Sequence, residues 1–139
     1  MMGIEYREYQ RTDFLQFATI SNDDWKGTHI RVAYSLSKRN EKIERCYVAL
    51  DGKNIVGYIY GFVLPSKTLI PEFMYVKPEL RRKGIGEALL TMLEQKSGCD
   101  CSMIFYHKSL HNHYQKLGYE TGDNLETAMK QIALGETVQ

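Results

Sequence analysis

Only three cysteines occur among the 139 residues, Cys46, Cys99 and Cys101. An odd, small number cannot build a disulfide framework. The chain opens Met1-Met2-Gly3-Ile4-Glu5-Tyr6 without a basic-then-apolar leader, so a reducing, cytoplasmic setting is expected. No apolar run approaches the roughly 20 residues needed to span a bilayer, so no membrane association is expected. Charge is nearly absent as a global signal. With 18 basic and 17 acidic residues the net charge is +1, leaving no field of the kind that gathers nucleic acid or an anionic membrane. No internal repeat or linker breaks the chain, and 139 residues, 16.1 kDa, fit one domain spanning 1–139 that buries about two thirds of its unfolded surface without metal or disulfide help.

The one dense basic run is Arg81-Arg82-Lys83-Gly84-Ile85-Gly86, between an apolar strand, Leu69 to Val76, and an amphipathic helix. The first N–H groups of a helix have no intrahelical partner and lie at the positive end of its dipole, so a strand-to-helix junction of this kind is a phosphate cradle. Gly84 and Gly86 are expected to let a pyrophosphate approach the backbone, with Arg81, Arg82 and Lys83 as donors. A P-loop is excluded because Gly-x-x-x-x-Gly-Lys-Ser/Thr is missing, and a dinucleotide fingerprint because its third glycine would fall on Leu89.

Arg81, Gly84 and Gly86 match Gln/Arg-x-x-Gly-x-Gly/Ala, following Tyr75-Val76-Lys77-Pro78-Glu79-Leu80. A second phrase, Tyr114-Gln115-Lys116-Leu117-Gly118-Tyr119, begins 28 residues beyond Gly86. Together these resemble the coenzyme A motif and the Tyr-x-x-x-Gly-Phe/Tyr phrase of the GNAT superfamily of acyl-CoA-dependent N-acyltransferases. The likeness runs through the order of elements and is weakest over the first 45 and last 20 residues. It implies acetyl-CoA as co-substrate and a cofactor site made by Met74, Tyr75, Val76, Arg81, Arg82, Lys83, Gly84, Ile85, Gly86, Glu87 and His107. His107 stands where many relatives carry asparagine, and Leu110 where a small alanine is usual; either His107 substitutes as the donor or the loop has shifted by a residue.

Hydrophobic spacing predicts a strand over Ile4 to Tyr9, then Thr12-Asp13 as the cap of a helix carrying Phe14, Phe17 and Ala18. A second helix shows a weak face of Ile30, Ala33, Tyr34 and Ser37. Cys46 to Leu50 and Ile55 to Leu64 flank the turn Asp51-Gly52-Lys53-Asn54 as a hairpin, with Leu69 to Val76 as its third strand. Ile85, Ala88, Leu89, Met92 and Leu93 mark a helix from Gly84 to Lys96 that must face a sheet. Ser102 to Tyr106, a helix near Ser109 to Lys116, and closing strands over Tyr119 to Thr121 and Thr127 to Leu134 complete the chain. The expected fold is α/β, a mixed and mainly antiparallel central sheet of six to seven strands flanked by about four helices on both faces.

Moving an acyl group from a thioester to an amine requires a neutral amine, a donor to the tetrahedral oxyanion, and stabilisation of the leaving thiolate. The resemblance implies backbone N–H groups near Met74 to Val76 as oxyanion donors if that strand splays from its neighbour. It also places Tyr114 at the general-acid position. A phenol of pKa about 10 protonating a thiolate of pKa about 8.5 is uphill by roughly 2 kcal/mol, so hydrogen bonding without full transfer serves equally. Glu72 is the candidate base, because strict alternation puts it on the face of Met74 and Val76; a solvated strand residue beside Pro71 is the plain alternative.

Asp23, Asp24 and Trp25 are candidates for an acceptor wall, and Tyr58 and Tyr60 for a groove lining or for packing. His107, His111, His113 and Cys99-x-Cys101 lie near one another, but without a paired Cys-x-x-Cys, and no metal is expected. The acceptor is expected to be a small-molecule or peptide amine, and the protein a monomer or homodimer. Two readings stand beside the enzyme: a non-catalytic acyl-CoA-binding regulatory module, and an RNA-binding domain, which the near-neutral charge disfavours.

Overall fold

A computed structural model describes residues 3–20, 28–38, 40–106, 108–121 and 127–132. Its strands are β1 (Glu5–Glu8), β2 (Glu44–Asp51), β3 (Asn54–Val63), β4 (Thr68–Val76), β5 (Cys101–Phe105), β6 (Glu120–Thr121) and β7 (Thr127–Gln131). The helices are α1 (Phe14–Thr19), α2 (Thr28–Ser37), α3 (Ile85–Lys96) and α4 (His111–Lys116). One seven-stranded sheet runs β1-β2-β3-β4-β5-β7-β6. Every neighbouring pair is antiparallel except β4 with β5, which the α3 crossover makes parallel. The mixed, mainly antiparallel α/β sheet expected from the sequence is the fold found.

Burial on both faces explains the near-continuous apolar runs of β2 and β3. On one face Tyr47, Ala49, Ile59 and Leu69 meet Ile85, Leu89 and Leu93 of α3. On the other, Cys46, Val48, Tyr58 and Tyr75 meet Phe17 of α1 and Val32, Ala33 and Leu36 of α2. Each fully buried Leu, Ile or Phe contributes about 1.5–3 kcal/mol, so the two layers are what fix the sheet between the helices.

Two local readings change. The buried face of α2 is His29, Val32, Ala33 and Leu36; of the expected stripe Ala33 lies in it, Tyr34 is 60% exposed, Ser37 is exposed, and the side chain of Ile30 lies outside the described residues. Asp13 is buried and does not cap α1 with its side chain. Its carboxylate instead accepts from the Gln10 N–H at 2.8 Å and from both Arg7 Nη atoms at 2.8 and 3.0 Å, tying β1 to the start of α1.

Candidate active site

The parallel ladder between β4 and β5 contains two residue pairs, Thr68 with Cys101 and Leu69 with Ser102, and then stops. The sequence of β4 says why. The Leu64 N–H donates to the Thr68 carbonyl, so Thr68 and Ile70 turn their backbone groups toward β3, and Leu69 and Pro71 turn theirs toward β5. Proline has no N–H, so the next donor of the parallel ladder is missing at Pro71. The following residue is a bulge: Gly61 opposes Pro71 and Tyr60 opposes Phe73, which leaves Glu72 unopposed. A bulge bends a strand and increases its twist, and β4 parts from β5.

Beyond the bulge the pattern is reset. The Lys77 N–H donates to Val56 on β3, so Tyr75 and Phe73 also face β3, and the N–H groups of Met74 and Val76 face the opening. The Val76 carbonyl confirms this direction, since it accepts from Arg81 Nε at 2.8 Å rather than from β3. Met74 and Val76 therefore present backbone donors where the sheet has split.

A groove of about 720 Å³ occupies one side of the opening, lined by Met74, Tyr75, Val76, Arg81, Arg82, Gly84, Ile85, Gly86, Glu87 and Tyr114 from the expected set, together with Leu80, Leu110 and His113. Its floor is the N-terminus of α3, where the first intrahelical bond runs from the Ala88 N–H to the Gly84 carbonyl, leaving the preceding N–H groups for a ligand. Gly84 caps α3 with φ +85°, and Arg82 also has a positive φ of 63°. For arginine that conformation costs about 1 kcal/mol, and left-handed turns of this type gather successive N–H groups into anion-binding concavities. Gly86 acts differently from expectation: a Cβ there would lie 3.3 Å from Met74 Sδ and Cε, so its glycine allows α3 to approach β4 rather than clearing the anion site. Glu87 places a carboxylate at the helix start, so its contribution to binding a phosphate is its backbone N–H.

A second cavity, about 410 Å³, lies between the separated strands, and Met74, Leu110 and Tyr114 line both spaces. Glu72 and Tyr114, the two catalytic candidates, both border it. Glu72 arrives there through the bulge and not through the strict alternation expected of it. Desolvation pushes its carboxyl above the ordinary range, opposed by the positive charge of Arg31. Tyr114 is 6% exposed, with its ring against Tyr106 at 5.3 Å and Tyr119 at 5.9 Å. Its carbonyl accepts from the N–H groups of Leu117 and Tyr119, so the turn at Gly118 fixes the backbone that carries the phenol. Burial raises the phenol pKa.

The sequence model of the acetyltransferase (GNAT) domain matches residues 42–121, more than half of the chain. This chain belongs to the GNAT family. No curated protein matches it at the sequence level. Among solved structures, a GNAT-family protein of Desulfovibrio desulfuricans superposes with TM-score 0.76 at 12% identity, covering 94% of this chain and 100% of the other. The ribosomal-protein-S18-alanine N-acetyltransferase of Escherichia coli gives 0.74 at 16% identity, covering 96% of each chain. The PaiA N-acetyltransferase of Thermoplasma acidophilum, solved with coenzyme A, gives 0.70 at 21%, covering 94% and 99%. At these identities the likeness is one of fold.

Within this GNAT fold the other candidates fall away from the site or outside the described residues. Lys83 is exposed and does not line the groove. His107, Asp23, Asp24 and Trp25 lie outside the described residues. His113 packs its ring 5.0 Å from Tyr114 and borders the groove, whereas His111 Nδ1 sits 3.1 Å from the Tyr106 hydroxyl. Among the described residues no three His, Cys, Asp or Glu side chains are placed to share a metal. Tyr58 and Tyr60 are packing residues in the layer beneath α1 and α2. The second cavity's apolar walls, including Leu90, Ile104 and Phe105, were not singled out by the sequence. Pro71 followed by a carboxylate was the available signal, because a proline inside a strand marks the place where pairing on one side ends.

Proposed function

We propose that this GNAT protein transfers an acetyl or other short acyl group from acyl-CoA to a primary amine by direct attack within a ternary complex. The observation that carries the reading is the meeting of a phosphate-cradling groove and a carboxylate-bearing cavity at Tyr114. In this mechanism the pyrophosphate of acetyl-CoA lies on the N-terminus of α3 with Arg81 and Arg82 beside it, and the pantetheine arm follows β4 along the groove, so that the thioester reaches the edge of the split at Met74 and Tyr114.

Glu72 removes the ammonium proton, directly or through one water, and its raised pKa suits that task. The amine lone pair forms the C–N bond, and the Met74 and Val76 N–H groups stabilise the oxyanion. As the carbonyl re-forms, the C–S bond breaks and the electron pair leaves on sulfur, while the nitrogen, positively charged after its attack, gives its second proton to water. Tyr114 donates a hydrogen bond to that thiolate. Because burial holds its proton more tightly than a free phenol does, hydrogen-bond stabilisation is favoured over complete transfer. No cysteine lines either space among the described residues, which supports direct attack over an acyl-enzyme.

Calorimetry with acetyl-CoA, paired with thiol release over an amine panel, tests the proposal. Micromolar binding that Gly86→Trp abolishes while the variant keeps a cooperative thermal melt, with amine-dependent release of CoA, is the expected result. Binding without release for any amine would make the protein an acyl-CoA-binding module, and no binding would refute the cofactor site.

A further inference from the structure

The second cavity carries information about the acceptor beyond its being an amine. Its volume, about 410 Å³, is in the range of small-molecule sites. Ile59, Phe73, Leu90, Ile104, Phe105 and Leu110 make its walls apolar, and among the described residues Glu72 is the one charged side chain on its lining. Glu72 does not stand alone: Arg31 lies within electrostatic reach and already opposes its negative charge. A dication or polycation entering here gains one carboxylate, already opposed by a guanidinium, and must desolvate its remaining charges against hydrocarbon.

We infer that the acceptor is a primary monoamine with an apolar body, an alkylamine or arylalkylamine in chemical class, whose nitrogen lies between Glu72 and Tyr114 and whose hydrocarbon part fills the space between β4 and β5. This inference rests on the transferase reading for the amine's fate, but its binding site stands on the cavity alone. Specificity comes from burial. Each methylene placed against these walls raises kcat/KM about fourfold, until the cavity is full. Phe105 is the residue to alter, because it borders the cavity yet is 64% exposed, so a polar replacement leaves the core intact.

The test measures thiol release from acetyl-CoA with propyl-, butyl-, hexyl- and phenethylamine against putrescine and spermidine, alongside calorimetry of hexylamine with the CoA-bound protein. Rising kcat/KM along the alkyl series, with hexylamine at least tenfold better than spermidine, is expected. Phe105→Asp should lower hexylamine kcat/KM several-fold with acetyl-CoA binding unchanged, and Phe105→Leu should retain most of it. Spermidine or putrescine outperforming hexylamine would overturn the inference while leaving the transferase reading intact. Hexylamine that binds the CoA-bound protein, loses affinity in Phe105→Asp and is not acetylated would support the apolar site and defeat the transferase reading. Absence of both hexylamine binding and turnover would overturn the inference.

Discussion

Replacing Tyr114 by Phe removes one hydroxyl and almost nothing else. The ring is 6% exposed and packed on Tyr106, Tyr119 and His113, contacts that phenylalanine keeps. Among the described residues the hydroxyl has no hydrogen-bond partner that its loss would strand. If it donates to the leaving thiolate, the loss is that of a charge-assisted hydrogen bond, about 1.5–3 kcal/mol, appearing mainly in the transition state. That predicts a fall in kcat of roughly 10- to 150-fold, with acetyl-CoA affinity unchanged. Steady-state thiol release, acetyl-CoA calorimetry and a thermal melt separate the possibilities. An unchanged kcat would refute the role, and so would a loss of rate accompanied by an equal loss of stability, because the tyrosine would then be packing.

Glu72→Gln should lower kcat by about 10²- to 10⁴-fold and remove the acidic limb of the kcat/KM profile, which in the native protein rises with pH through a carboxyl titrating above its ordinary range; a retained limb would assign it to another group. Since the folded state holds that proton more tightly than the unfolded chain, the carboxyl's contribution to stability is present at low pH and lost as pH rises through the folded pKa, so a melt at neutral pH should show Glu72→Gln no less stable than the native protein. Gly84→Ala forces a Cβ into φ +85° and should cost about 1 kcal/mol, or about 3–5 °C in Tm, and weaken acetyl-CoA binding. Lys130→Met removes the ammonium 3.0 Å from the buried Glu94 carboxylate and should cost about 2 kcal/mol by denaturant titration.

Legibility followed the contrast of the side chains. The hairpin of β2 and β3 could be placed from Asp51-Gly52 between β-rich runs, and α3 from its stripe, because both patterns pit strongly apolar residues against charged ones. The stripe of α2 is legible only in part: Ala33 is buried as expected, whereas His29 signals weakly from the buried face and Tyr34 signals strongly from outside it. At the site, the cradle was readable because it is local: Arg81, Arg82 and Gly84 to Glu87, all within one short run, line the groove. The apolar cavity was not, because it exists where two strands fail to pair, and a strand's period says nothing of what its neighbour does. Glu72 shows the limit most plainly. A rule of alternation cannot anticipate the extra residue that breaks it, although the bulge still delivers the carboxylate to the cavity.

The seam between β4 and β5 divides ownership of the chemistry. Glu72, the Met74 and Val76 amides and the cradle travel with β1 to β4 and α3, whereas Tyr114 travels with α4 and the strands beyond the split. Two ladder pairs join these bodies, and beside them Glu94 of α3 accepts from the Tyr119 hydroxyl at 2.7 Å and from Lys130 at 3.0 Å, with Ser102 Oγ 2.8 Å from the same hydroxyl. That polar knot touches neither cavity, yet it ties the body carrying Tyr114 to the body carrying Glu72, and in the proposed mechanism it would hold the phenol in alignment with the thioester. Displacements of about 1 Å can cost about a hundredfold in rate. If that mechanism holds, Glu94, Ser102, Tyr119 and Lys130 set the focus of an active site they do not enter.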